Sequence, residues 1–67
     1  PDPAIYRLAI ERFGIDPAGA LFIDDVAANI AGAESVGIEG HLFVDAGTLE
    51  RELVAKGYLN SFSADEI

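Results

Sequence analysis

Residues 21–33 read LFIDDVAANIAGA, an apolar run that ends on two adjacent acids and continues as an alanine-rich segment. Carboxylates are rarely buried unless they are paired or hold a metal. Asp24 and Asp25 are therefore expected where a buried strand ends and the chain turns into a helix. In open α/β sheets, ligands bind at the carboxyl ends of the strands. This stretch predicts a strand-turn-helix unit whose acidic turn faces a binding crevice.

The segments on either side predict an alternation of helices and strands. The expected elements are a helix over 3–13 capped by Asp2, a strand over 20–23, a helix over 26–36, a strand over 42–44 and a helix over 48–56. A glycine follows each helix, as is common at helix C-termini. Apolar positions in the first helix recur at helical spacing and form one stripe over 5–13. The short apolar strands suit a sheet covered on both faces, and the alternation implies parallel βαβ units.

The predicted fold class is α/β, as part of a three-layer Rossmann-like parallel sheet. Residues 1–59 are assigned to a core domain and residues 60–67 to a C-terminal tail. Two strands are too few for a stable parallel sheet, so further strands are expected outside these 67 residues. The opening Pro1-Asp2-Pro3, without an initiator methionine, also predicts a piece of a longer protein. We therefore expect the isolated chain to be poorly folded or self-associated.

Composition restricts the partners of the chain. The formal net charge of -8 repels nucleic-acid phosphates and anionic membrane surfaces, so neither is an expected partner. The absence of cysteine excludes a disulfide framework and thiolate metal sites. No apolar run approaches the roughly 20 residues that span a bilayer, and the start does not look like a signal peptide. A cytoplasmic location is the expectation.

The acidic turn predicts a site for a hard divalent cation. Two carboxylates side by side create a negative potential that Mg²⁺ relieves, and this ion prefers one or two protein carboxylates, waters and phosphate oxygens. Asn29 lies four residues beyond Asp25, in the first turn of the predicted helix, so its side chain is expected in the same crevice. The alternative is that Asp25 only caps the helix, contributing about 1 kcal/mol. That alternative does not explain Asp24, and the residues by themselves leave both interpretations open.

Three segments together resemble the C-terminal part of a haloacid dehalogenase (HAD) superfamily hydrolase, of the phosphatase-like branch. They are PDP over 1–3 followed by a helix, LFIDDVAANI over 21–30 and AESVG over 33–37. The resemblance covers residues 1–59. It implies that Asp25 is a direct Mg²⁺ ligand, that Asp24 supports the metal directly or through another ligand, and that Asn29 occupies the last polar position of the motif.

The resemblance also implies what the rest of the enzyme supplies. In that family, an Asp-x-Asp motif after an N-terminal strand provides a nucleophile that forms an aspartyl phosphate, and a second Asp that acts as acid and base. Neither this motif, nor the strand-ending Ser/Thr, nor the Lys expected just before Pro1 occurs in these residues. The implied parent hydrolyses a small phosphorylated metabolite, a phosphate monoester, with Mg²⁺ and with the N-terminal part of the same protein. This chain without that part is expected to be inactive.

Three alternatives remain. A phosphoacceptor receiver domain also holds Mg²⁺ on adjacent acids, but its acidic pair follows the first strand of the domain, whereas here a full helix comes first. A 2-haloacid dehalogenase uses an Asp nucleophile without a metal and has little use for an acidic pair. The third alternative is a non-catalytic α/β scaffold with purely structural acids.

Two other residues invite a functional interpretation. Asp45 also follows a predicted strand, but Gly47 and Thr48 make it a better candidate for the cap of the third helix. His41 is the one histidine of the chain and has no partner ligands in the sequence, so it is predicted to be a surface or strand-edge residue. Five aromatic residues are predicted to fall at packing positions: Tyr6, Phe13, Phe22, Phe43 and Tyr58.

Overall fold

A computed structural model describes residues 2–60 of the chain. Its elements, in order, are α1 (Ala4–Phe13), a short 3-10 helix (Pro17–Gly19), β1 (Leu21–Asp24), α2 (Ala27–Glu34), β2 (Glu39–Leu42) and α3 (Ala46–Ala55). The α/β class and the alternation of helix and strand are therefore confirmed. Of the predicted tail only Asn60 is described, and the remainder lies outside the described residues.

The two strands pair in parallel, as predicted. Leu21 lies opposite Glu39, and Asp24 lies opposite Leu42 at the carboxyl end of the sheet. The backbone N–H of Phe43 donates to the carbonyl oxygen of Asp24 over 2.7 Å, just past the end of β2. This bond ties the chain after β2 to the acidic turn after β1.

The predicted position of the second strand is wrong by three residues at its start. The sequence placed it over 42–44, but β2 begins at Glu39, directly after a tight reversal in which Gly37 has a φ of 89°. A Cβ on Gly40 would lie only 2.5 Å from Cγ2 of Ile30, so this glycine lets β2 lie close against α2. The apolar residues Phe43 and Val44 lie beyond the strand, and Val44 is 64% exposed.

The two faces of the sheet contact different helices, as the strand residues on each face show. Phe22 and Gly40 are paired in register and therefore share one face of the sheet. On this face Gly40 contacts α2. The ring of Phe22 packs edge-on against the ring of Tyr6 in α1, with 5.2 Å between the ring centroids. Glu39 is adjacent to Gly40 and points to the opposite face, where it forms an ion pair with Lys56 at the end of α3. Thus α1 and α2 pack on one side of the sheet, while α3 reaches the other side through the ion pair of Lys56 with Glu39 and leaves Ile23 there 41% exposed.

The core is small and lies between α1, α2 and the sheet. Its buried cluster is Tyr6, Ala33 and Ile38, and Phe22 packs against it in a half-buried position. The α3 helix contains no buried residue, and its predicted inward positions are half-buried: Leu49, Leu53 and Val54.

The helix ends agree with the sequence, with small shifts in the bounds. Asp2 accepts the Ala4 N–H at 2.9 Å, and the glycines after the three helices have positive φ. The apolar stripe of α1 is not on its buried side, because that side carries Tyr6 and Ile10, while Leu8 is 53% and Phe13 76% exposed. None of the helices described in residues 2–60 has the length and apolar character to cross a bilayer.

Candidate functional site

The acidic turn connects the carboxyl end of β1 to α2. Asp24 is the last residue of β1, Asp25 forms a bend, and Val26 precedes the first residue of α2 in an extended conformation. One carboxylate oxygen of Asp24 accepts the Val26 N–H at 2.9 Å, and the other accepts the side-chain amide of Asn29 at 3.0 Å. The half-buried Asp24 side chain therefore joins the strand to the first turn of the helix.

These hydrogen bonds keep Asp24 ionised. The Val26 N–H, and after it the Asn29 amide, lower the pKa of Asp24 below its usual 3.8, and partial desolvation opposes them with a smaller effect. Hydrogen bonds donated to a carboxylate favour its charged form. At neutral pH the turn thus contains a negative charge whose orientation is fixed by the backbone and by Asn29.

Asp25 has a different environment. Its side chain is exposed, in the bend just after β1. By contrast, each carboxylate oxygen of Asp24 already accepts one hydrogen bond, although each keeps a further lone pair. The geometry therefore brings the three predicted residues Asp24, Asp25 and Asn29 to one turn and gives Asp25 the more accessible carboxylate.

The residues of the turn fit one side of a magnesium site. No group of three or more histidine or acidic side chains within residues 2–60 is arranged to enclose a metal ion. Mg²⁺ does not require such a cage, because it usually keeps several waters and binds one or two carboxylates together with substrate phosphate oxygens. Asp25 and Asp24 would hold the ion from one side, and other ligands would complete its coordination.

Asp45 is a helix cap, as predicted. It occupies the residue before α3, and its carboxylate accepts the Thr48 N–H at 2.7 Å. This bond is the main cause of a lowered pKa at Asp45. The carboxylate is thus committed to the start of α3.

His41 lies in β2, which is an edge strand of this two-stranded sheet, but it is half-buried rather than on the surface. Its Nε2 is buried and has no hydrogen-bond partner among the described residues. It lies opposite Ile23, the residue before Asp24, on the face of the sheet that alternates away from Gly40.

One contact of the site is not predictable from the sequence pattern. The hydroxyl of Tyr6 donates to the backbone carbonyl of Asn29 at 3.0 Å, across 23 residues of chain. The sequence predicts only a packing role for Tyr6, and its position on α1 contains no signal for a polar contact. Only the packing of α1 against α2 brings the two groups together.

No protein-family model matches the chain. The curated proteins that are similar to part of it include the following three. A CBBY-like protein of Arabidopsis thaliana is 45% identical over 38 residues, which is 57% of this chain and 12% of that protein. Acyl-CoA dehydrogenase family member 10 of Mus musculus is 42% identical over 38 residues, 57% of this chain and 4% of that protein. Flavin mononucleotide hydrolase 1 of A. thaliana is 34% identical over 53 residues, 79% of this chain and 22% of that protein.

The matched part of the chain thus spans less than a quarter of each of these relatives. The match that covers 79% of this chain is to a hydrolase, and it gives partial support to the resemblance identified in the sequence.

Proposed function

We propose that these residues form one wall of the active site of a HAD-like hydrolase, a Mg²⁺-dependent phosphatase that acts on a small phosphate monoester. The observation that carries the proposal is the division of roles at the acidic turn. Asp24 is held by the Val26 N–H and the Asn29 amide, while Asp25 is exposed at the carboxyl end of β1. The similarity to a flavin mononucleotide hydrolase supports the same reaction class.

In this proposal Asp25 is the direct metal ligand. Asp24 adds its charge from the adjacent position, and Asn29 keeps the Asp24 carboxylate oriented. Bound Mg²⁺ would neutralise the charge between these carboxylates and a phosphate group. The nucleophile and the general acid would come from residues outside this chain, so the chain by itself is expected to be inactive.

Electrostatics explains why the turn would need a cation for such a substrate. Two ionised carboxylates, in a chain of net charge -8, repel a phosphate dianion. A bound divalent cation is the largest local charge in such a site and reverses this repulsion. Flavin mononucleotide is itself a phosphate monoester, so the substrate named for one relative is the first one to test.

The test uses the full-length protein that contains this chain. Phosphate release from flavin mononucleotide should require Mg²⁺, and Asp25→Asn should reduce it by about 100-fold or more, because a metal ligand contributes several kcal/mol of charge stabilisation. Asp45→Asn is the matched control. Because the Asp45 carboxylate is bound to the start of α3, this substitution should leave turnover unchanged. Equal turnover and equal Mg²⁺ dependence in wild type and Asp25→Asn would contradict the proposal.

A further inference from the structure

The buried hydroxyl of Tyr6 connects α1 to the acidic turn. Tyr6 is 9% exposed, its ring packs edge-on against Phe22, and its hydroxyl donates to the Asn29 carbonyl at 3.0 Å. The side chain of the same Asn29 donates to Asp24 at 3.0 Å. Asn29 is therefore held by its backbone from α1 and in turn holds the carboxylate at the end of β1.

The start of α2 depends on such outside contacts. The helix has only eight residues, and Val26 at its N-cap position makes no side-chain capping bond. Isolated helices shorter than about 12–15 residues are marginal in water. The direction of the Asn29 side chain depends on how the first turn of α2 is rotated about the helix axis. This rotation must be fixed by packing and by contacts such as that of Tyr6.

We propose that Tyr6 is a positioning residue of the metal site. Its hydroxyl fixes the first turn of α2 so that the Asn29 amide stays on Asp24, and this keeps the Asp24 carboxylate oriented beside the exposed Asp25. The inference rests on the proposed function, and it adds a residue from a different helix, 18 positions before Asp24 in the chain. No part of it requires the Tyr6 hydroxyl to contact the metal or the substrate.

A purely structural role makes a different prediction. A buried tyrosine hydroxyl usually finds a hydrogen-bond partner, so Tyr6 could serve stability only. In that case its removal would weaken folding and leave the Asn29 side chain and the metal affinity as they were. The two roles can be separated because Tyr6 binds the backbone of Asn29, whereas Asp24 binds its side chain.

The first experiment observes the Asn29 amide directly, without any metal. In the full-length protein, isotope labelling of this segment alone leaves two visible side-chain amide pairs, because residues 1–67 contain two asparagines, Asn29 and Asn60, and no glutamine. In Tyr6→Phe, which keeps the ring on Phe22, solvent exchange of the Asn29 amide should rise about two- to tenfold, the equivalent of one net hydrogen bond. Asn60 should not change. An unchanged Asn29 amide would overturn the proposal. Trimethylamine N-oxide in all samples favours the folded state.

The second experiment titrates Mg²⁺ alone into the full-length protein that contains this chain. Tyr6→Phe should weaken its binding by about two- to tenfold. In an Asn29→Ala background, which keeps the backbone carbonyl but lacks the amide, Tyr6→Phe should lower stability again without weakening Mg²⁺ binding further. Tyr58→Phe is the matched control, since Tyr58 is 50% exposed.

An equal effect of Tyr6→Phe on Mg²⁺ affinity in both backgrounds would show that Tyr6 does not act through Asn29. A wild-type full-length protein that binds no Mg²⁺ would overturn the metal-site proposal, while the amide exchange of Asn29 would still show whether Tyr6 holds the turn.

Discussion

Gly40 is the position at which a single methyl group should disturb the fold most clearly. A Cβ there would lie 2.5 Å from Cγ2 of Ile30 and 3.3 Å from Cγ of Glu34. Carbon atoms in favourable contact are about 3.5–4.0 Å apart, so Ile30 would have to move by about 1 Å or leave its rotamer. Ile30 is 8% exposed and has little free space. Gly40→Ala therefore tests the close approach of β2 to α2.

The expected magnitude combines two opposing effects. Overpacking a core costs about 1–3 kcal/mol, and replacing glycine by alanine recovers about 0.4–1 kcal/mol by restricting the unfolded chain. We expect a net loss of about 1–2 kcal/mol in the free energy of unfolding of Gly40→Ala, or about 2–8 °C in the melting temperature of a full-length protein of about 150–250 residues. Thermal unfolding of the full-length protein that contains this chain, followed by circular dichroism, measures it.

Gly19→Ala is the matched control, because the nearest atom to its Cβ would be an oxygen of Asp16 at 3.8 Å. This variant should be as stable as the wild type or slightly more stable. The variant Gly40→Ala with Ile30→Ala should lose less than the sum of the single losses, since the clashing methyl group is gone. A Gly40→Ala variant that melts at or above the wild-type temperature would refute the described packing of β2 on α2.

Three further predictions concern the acidic residues and the state of the chain. The pKa of Asp24 is lowered from 3.8 by the Val26 N–H and the Asn29 amide, so its stabilisation is present above that pH and is lost as the pH falls toward the folded pKa. Asp24→Asn should therefore flatten the acid limb in a pH series of urea unfolding, and an unchanged limb would contradict this role. Asp45→Ala should lower the helix content by fraying α3, whereas Asp45→Asn should keep it, because asparagine also caps helices. Within residues 2–60 both outer edges of the sheet are unpaired and apolar residues such as Ile23 are exposed, 41% in its case, so the isolated chain should self-associate; sedimentation as a monomer over a wide range of concentration would count against this.

Sequence reasoning predicted the elements whose signals are local. The apolar run before Asp24, the cap at Asp45 and the glycine after each helix are decided within a few residues, and the structure confirms them. The parallel pairing followed from the alternation of helix and strand. These features need no knowledge of distant contacts.

The wrong predictions arose where tertiary contacts decide. Leu42, Phe43 and Val44 are the more apolar segment, but the reversal at Gly37 and the close contact at Gly40 place β2 earlier in the chain. For α1, the apolar stripe is exposed, and Tyr6 lies on the buried side because its ring meets Phe22 and its hydroxyl meets α2. Hydrophobic periodicity finds a stripe but does not say which side of a helix has a neighbour.

At the acidic turn, the sequence predicted which residues lie together but not how each of them is held. The grouping of Asp24, Asp25 and Asn29 followed from their spacing and from the family resemblance. Their different roles depend on hydrogen-bond geometry that spacing does not contain.

The central claim, that the acidic turn binds a divalent cation through Asp25, is tested most directly by Mn²⁺ in place of Mg²⁺, since both ions prefer carboxylate and water ligands. Paramagnetic broadening of backbone amide signals locates the ion in the full-length protein, labelled with ¹⁵N in this segment. Broadening should be centred on residues 24–26, be reversed by Mg²⁺, be lost in Asp25→Asn and persist in Asp45→Asn. Broadening centred elsewhere, or equal broadening in Asp25→Asn and wild type, would contradict the claim.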